Sequence, residues 1–200
     1  MKPLSITATL LACFLSVGCA LTTDRIILEY HPMEGVRTIQ GAEGVTVLVS
    51  VNDLRADKSR VSCKKNGLGM EMAPIITEED PAITIKRAFE TELKARGFKI
   101  GSEAIVSIHS DVTRFWNDHK TGFFAADSVA DLNMTVIVKS KSGDKPLFTK
   151  QISAQGLEAN NQIQGGNNAK LALDRALSNG IKQLFEDPGF VDSIIKAKNT

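Results

Sequence analysis

The sequence has little cysteine: three residues among 200, at positions 13, 19 and 63. No two of them share the close spacing of a zinc site or redox pair, and His31, His109 and His119 form no H-x-x-x-H pattern. Neither a metal nor a cofactor is expected. Charge of one sign is also missing. Lys and Arg number 24 against 23 Asp and Glu, which argues against the clustered basic face of a nucleic-acid binder. After the first 18 residues no apolar run is long enough to cross a bilayer as a helix. A G-x-S-x-G elbow and a Walker lysine pattern are both absent. Aromatic residues are few, with one Trp, one Tyr and nine Phe, so where they gather is informative.

What is present begins at the N-terminus. A single charge, Lys2, precedes an apolar segment containing Leu10, Leu11, Phe14 and Leu15, and Gly18-Cys19 closes it. The segment has the layout of a secretory leader and is too short for a transmembrane helix. Leu15-Ser16-Val17-Gly18-Cys19 resembles the bacterial lipobox, with Ser16 where leucine is commonest. That resemblance implies that residues 1–18 are a lipoprotein signal peptide and that Cys19 is acylated and becomes residue one. Ala20, in place of Asp, is similar to enteric lipoproteins sorted to the outer membrane, where the domain would face the periplasm. Several acyl chains at ~0.8 kcal/mol per buried CH2 make such an anchor effectively permanent. Loss of the leader removes Lys2 and Cys13, leaving equal numbers of basic and acidic residues and Cys63 as the one free thiol. A domain without an internal disulfide depends on its apolar core, and 42% hydrophobic content is adequate for one.

Residues 19–43 read as a lipidated N-terminus and tether, punctuated by Pro32, Gly35 and Gly41, with 26–30 able to dock as an extended strand. Residues 44–200 then form a single domain. The β-branched run 45–51 predicts a strand, and short strands are expected around 61–63 and 70–72. Asp80-Pro81 opens a helix as cap and first residue, Ile85, Ala88, Phe89 and Leu93 keep helical spacing, and Gly97 ends it. Strands follow over 104–115, 128–140 and 147–156, the last two joined by the Ser142-Gly143-Asp144-Lys145 turn. After a polar loop, Asn167 or Asn168 is expected to cap a second long helix, which Pro188-Gly189 interrupts before a short amphipathic end. The expected class is α+β: a two-layer domain, a mainly antiparallel sheet with two helices on one face.

This order, together with the lipobox, resembles the YajG-type family of Gram-negative lipoproteins. The strand leading into Val51-Asn52-Asp53-Leu54-Arg55-Ala56-Asp57, the helix ending Ala95-Arg96-Gly97-Phe98, the hairpin-rich middle and the Asn-rich loop before the last long helix carry the likeness. It implies an outer-membrane lipoprotein and supplies no active-site residues.

Among candidate sites, the charge cluster Asp53, Arg55, Asp57, Lys58 and Arg60 reads as a solvated loop with weak ion pairs. Gly165-Gly166-Asn167-Asn168 reads as a cap and turn rather than an anion site, and Cys63 as a buried core residue. The exception is Phe115-Trp116-Asn117-Asp118-His119-Lys120-Thr121-Gly122-Phe123-Phe124, with four aromatics in ten positions between two expected strands. Strand connections are normally polar, so aromatics there need a partner. Phe115 and Trp116 are expected to pack in the core. Trp116, Phe123 and Phe124 are the candidate partner-binding residues, with Phe123 and Phe124 the stronger for recognition. The reading is a lipid-anchored, non-enzymatic binding or scaffold module of the cell envelope, touching the membrane through Cys19. Its alternative is an envelope-polymer hydrolase with a site assembled from dispersed carboxylates and His109.

Overall fold

A computed structural model of the chain describes residues 22–121, 126–143, 145–161 and 165–199. The element order is β1 (Asp24–Ile26), β2 (Thr46–Asp53), β3 (Ser62–Lys65), β4 (Glu71–Thr77), α1 (Pro81–Ala95), β5 (Lys99–Ile100), β6 (Val106–Thr121), β7 (Ala126–Ser140), β8 (Pro146–Asn161), α2 (Gly166–Phe185) and α3 (Pro188–Lys196). The class is α+β. A five-stranded sheet runs β5-β2-β6-β7-β8, and a three-stranded sheet runs β1-β4-β3. The β6-β7-β8 meander is antiparallel, whereas β2 lies parallel to both β5 and β6.

Strict alternation creates the two faces of the large sheet. Val47 and Val49, Val106 and Ile108, Leu132 to Val138 at every second position, and Ile152 all point to one side and are buried. There they meet Ile85, Phe89 and Leu93 of α1 and Leu173, Leu177, Ile181 and Leu184 of α2. The opposite face is polar and open, carrying Ser50, Asn52, His109, Asp111, Asn133, Gln151 and Ser153. Helix α1 starts and stops where its residues require. The Asp80 side chain accepts from the Ala82 N–H at 2.9 Å, Pro81 takes the first helical position, and Gly97 turns the chain at φ 93°.

Three expectations are corrected. First, the docking expected only at 26–30 begins at Asp24 and extends further along the segment read as a tether. Strand β1 pairs with β4, Ile26 and Leu28 are buried, and Ala42 is fully buried, because the apolar residues here find the core. Second, α2 begins at Gly166, and neither Asn167 nor Asn168 caps it. Asp24, far away in sequence, accepts from the Gly166 N–H at 2.8 Å and takes the helix N-terminus for itself. A side chain at 166 would sit 2.9 Å from Asp24 Cβ, so glycine is required. Third, 115–121 is strand: β6 and β7 are one long hairpin reaching Thr121 and Ala126.

Helix α2 lies very close to β8 because small residues face each other. A Cβ added at Gly156 would stand 2.0 Å from the Ala172 carbonyl oxygen and 2.4 Å from the Ala176 nitrogen. Both are backbone atoms, so the whole helix must retreat. Gly156→Ala is therefore expected to cost about 1–3 kcal/mol in denaturant unfolding. An unchanged midpoint would show that α2 is not seated this tightly.

Candidate functional site

The segment after β2 is tied down by one buried ion pair. Arg55 Nη2 lies 2.8 Å from Asp53 Oδ2, with the two side chains 5% and 8% exposed. Asp53 Oδ1 also accepts the Arg55 backbone N–H at 3.0 Å, and Arg55 Nη1 donates to the carbonyls of Arg60 (3.1 Å) and Phe115 (3.4 Å). Burial pushes the Asp53 carboxyl up, but its bonds to Arg55 outweigh that and hold it below the usual range. This corrects the reading of a solvated loop: Arg55 stitches the segment onto β6.

The far half of the segment presents charge outward. Asp57 accepts from the Ser59 hydroxyl at 2.5 Å, from Arg60 Nε at 2.9 Å and from the Ser59 N–H at 2.9 Å, and these bonds, the Ser59 hydroxyl's first, hold its carboxyl down to about 2. Arg60 also reaches Glu71 at 2.6 Å, and its guanidinium lies 5.4 Å from the centre of the Trp116 ring. On β6, Arg114 Nε donates to Asp131 at 3.0 Å, and Gln155 Nε2 braces the same carboxylate at 2.8 Å.

A β-bulge brings these groups together. Val112 pairs with Met134 and Arg114 with Asn133, so Thr113 is the extra residue. Before the bulge, even-numbered residues face the core; after it, odd-numbered ones do. Phe115 is thereby fully buried, while Arg114 and Trp116 turn to the open face. The result is an open cleft of about 520 Å3 lined by Arg55, Asp57, Arg60, Thr113, Arg114 and Trp116. Two features that the sequence singled out separately, the charge cluster and the aromatic segment, share this one place. The expectation that Trp116 packs in the core with Phe115 is overturned by the bulge. Phe123 and Phe124 lie outside the described residues, as does Cys19.

Chemically, the cleft offers guanidinium groups and an aromatic ring, a combination suited to holding a ligand. It is poorly suited to moving protons. No histidine lines it, and Asp57 stays ionised throughout the ordinary pH range. A second constellation lies further along the open face. Ser50 Oγ is 2.8 Å from His109 Nδ1, and His109 Nε2 is 2.9 Å from Asp111 Oδ1. Residue types and reach are those of a triad, but the three side chains stand on the open polar face of β2 and β6, and none of them lines the cleft. The neighbouring Asn52 amide donates to Asp111 at 3.2 Å, completing a polar cross-strand cluster. Cys63 is buried, as expected, its thiol 3.2 Å from the Ala73 carbonyl. Among the described residues no group of three or more His, Cys, Asp or Glu could hold a metal ion, and no helix is long and apolar enough to cross a membrane.

Sequence reasoning missed Arg114, Asp131 and Asn133. One signal was available: Phe115 lies three positions after Val112, an odd step that simple alternation cannot place on one face.

A family model described as "Uncharacterized lipoprotein" matches residues 33–194. The chain belongs to this lipoprotein family. Among curated proteins none matches the lipoprotein's sequence. Among solved structures, the lipoprotein is similar to a Xanthomonas campestris protein of the DUF330 family, with TM-score 0.59 and 12% identity over 89% of this chain and 98% of that one. It is also similar to a Helicobacter pylori protein described as a neuraminyllactose-binding hemagglutinin homologue, with TM-score 0.51 and 7% identity over 84% and 97%. At these identities the likeness is one of fold.

Proposed function

We propose that this lipoprotein is a YajG-type outer-membrane protein, anchored through acylated Cys19 and facing the periplasm, that works as a non-enzymatic binding or scaffold module of the envelope. The observation that carries the binding role is the Trp116 cleft. There the Trp116 ring and the Arg114 guanidinium, both on β6, stand at the surface beside Arg60 of the β2–β3 connection. Aromatic and arginine anchors of this kind dominate interface energies. Lipidation is supported by the order of residues around Cys19 and by membership of a lipoprotein family.

The test uses the bulge. Trp116→Ala removes a half-buried ring and one cation–π contact, so stability should fall by about 1–2 kcal/mol, well short of the loss expected for a core aromatic. Partner capture from membranes under mild crosslinking should nevertheless be lost. If the variant recovers the same envelope partner as the wild type, the cleft is not the binding site.

The alternative, a hydrolase with a site assembled from dispersed carboxylates and His109, is the weaker reading because His109 and its partners Ser50 and Asp111 stand on the open sheet face and do not line the cleft.

A further inference from the structure

We propose that the β3–β4 hairpin is a second membrane contact, its tip entering the lipid surface beside the acyl chains. The inference rests on the reading that Cys19 is acylated.

The first observation is how soon the domain begins. Lys64 Nζ donates to the Thr22 carbonyl at 2.9 Å and pairs with Asp24 at 2.7 Å, while Asp24 is also held by Gly166. The chain is therefore fixed from Thr22, and only Ala20 and Leu21 separate that point from Cys19. Cys19 stands five positions before Asp24, a span of at most ~17 Å. A domain on so short a lead lies against the membrane.

The second observation is which end lies there. Strand β1 runs parallel to β4, with Asp24 opposite Ile75, so the chain enters β1 from the side where β4 begins. Met70 stands five positions before Ile75, as Cys19 does before Asp24. Cys19 and the hairpin tip thus have the same reach from the same rung of the sheet.

The third observation is what the tip displays. Leu68 is 84% exposed, Met70 56% and Met72 39%. The exposure is built rather than loose. Asn66 Oδ1 accepts from the N–H groups of Leu68 and Met70, both at 3.0 Å, and the Asn66 N–H donates to the Met70 carbonyl at 3.0 Å. Gly69 supplies the left-handed turn at φ 79°. The charges nearby are neutralised locally: Lys64 by Asp24, Lys65 by Asp118, and Glu71 by Arg60. An apolar tip flanked by satisfied charges suits a shallow position of ~5–10 Å at the boundary of headgroups and acyl chains. It has no basic patch that would call for anionic lipid.

The experiment uses the full, membrane-extracted protein carrying Leu68→Cys, labelled with an environment-sensitive fluorophore; Cys63 is buried and should stay unlabelled. A second variant, Lys182→Cys, places the label on an exposed site roughly 24 Å along α2 from Gly166. Both are reconstituted into phosphatidylcholine–phosphatidylethanolamine vesicles with nitroxide-labelled lipid, after intact-mass analysis for acyl chains. Position 68 should be quenched at least threefold more than position 182. Equal quenching on acylated protein overturns the hairpin contact and leaves the anchor standing. A label at 68 that is shielded from water yet unquenched by lipid also overturns it, since a protein partner or second copy then covers the tip. Absence of acyl chains overturns the anchoring reading and this inference with it.

Discussion

Phe115→Ala is expected to destabilise the domain by about 3–5 kcal/mol in denaturant unfolding. Phe115 is fully buried and lies opposite Leu132 on β7. Its removal leaves a hole that two paired strands and a helix cannot close. Its neighbour is the control: Trp116→Ala, one residue further along β6, should cost only about 1–2 kcal/mol. The contrast reports the bulge at Thr113, because without it the two side chains would exchange faces. Equal costs for the pair would contradict the bulged register between β6 and β7.

Glu92→Ala is expected to cost a similar ~3–5 kcal/mol, by a different mechanism. Glu92 is fully buried and paired with Arg96, itself only 7% exposed. It also accepts from the Tyr30 hydroxyl at 2.8 Å and the Met33 N–H at 2.9 Å. Burial first, and then the Glu92 carboxylate, push the Tyr30 hydroxyl's pKa upward, so that group remains a donor. Removing the carboxylate strands a guanidinium against the Phe185 ring, 4.3 Å away, and releases the segment around Tyr30 from α1. Urea unfolding should record the loss, and limited proteolysis should open new cuts near residues 30–33. A loss under ~1 kcal/mol would show that water replaces Glu92 freely and that the pair is not sealed.

How much of this was legible depended on how local each cause is. The start and end of α1 were readable because Asp80, Pro81 and Gly97 act on their own neighbours. Strand β2 was readable from its β-branched run, and β7 from the alternation over 128–140. The cap of α2 was not, since Asp24 supplies it from 142 residues away. The docking of 24–42 showed only in part, as an extended strand able to dock at 26–30, because its other partners are also far away in sequence. Glycines and a proline suggested a loose tether, but Ile26 and Leu28 bury against the core and the Met33 N–H bonds to Glu92 on α1. The cleft was half legible. Composition pointed to Trp116 and to the charges after β2, but a single extra residue in β6 decides that they meet.

Whether the protein is lipid-anchored is decided by the intact mass of the wild-type chain extracted from membranes. The chain should begin at Cys19 and carry three acyl chains, which would tie the domain to the bilayer by the two residues before Thr22. A mature mass that starts at any other residue, or that lacks acyl chains, would contradict the anchor.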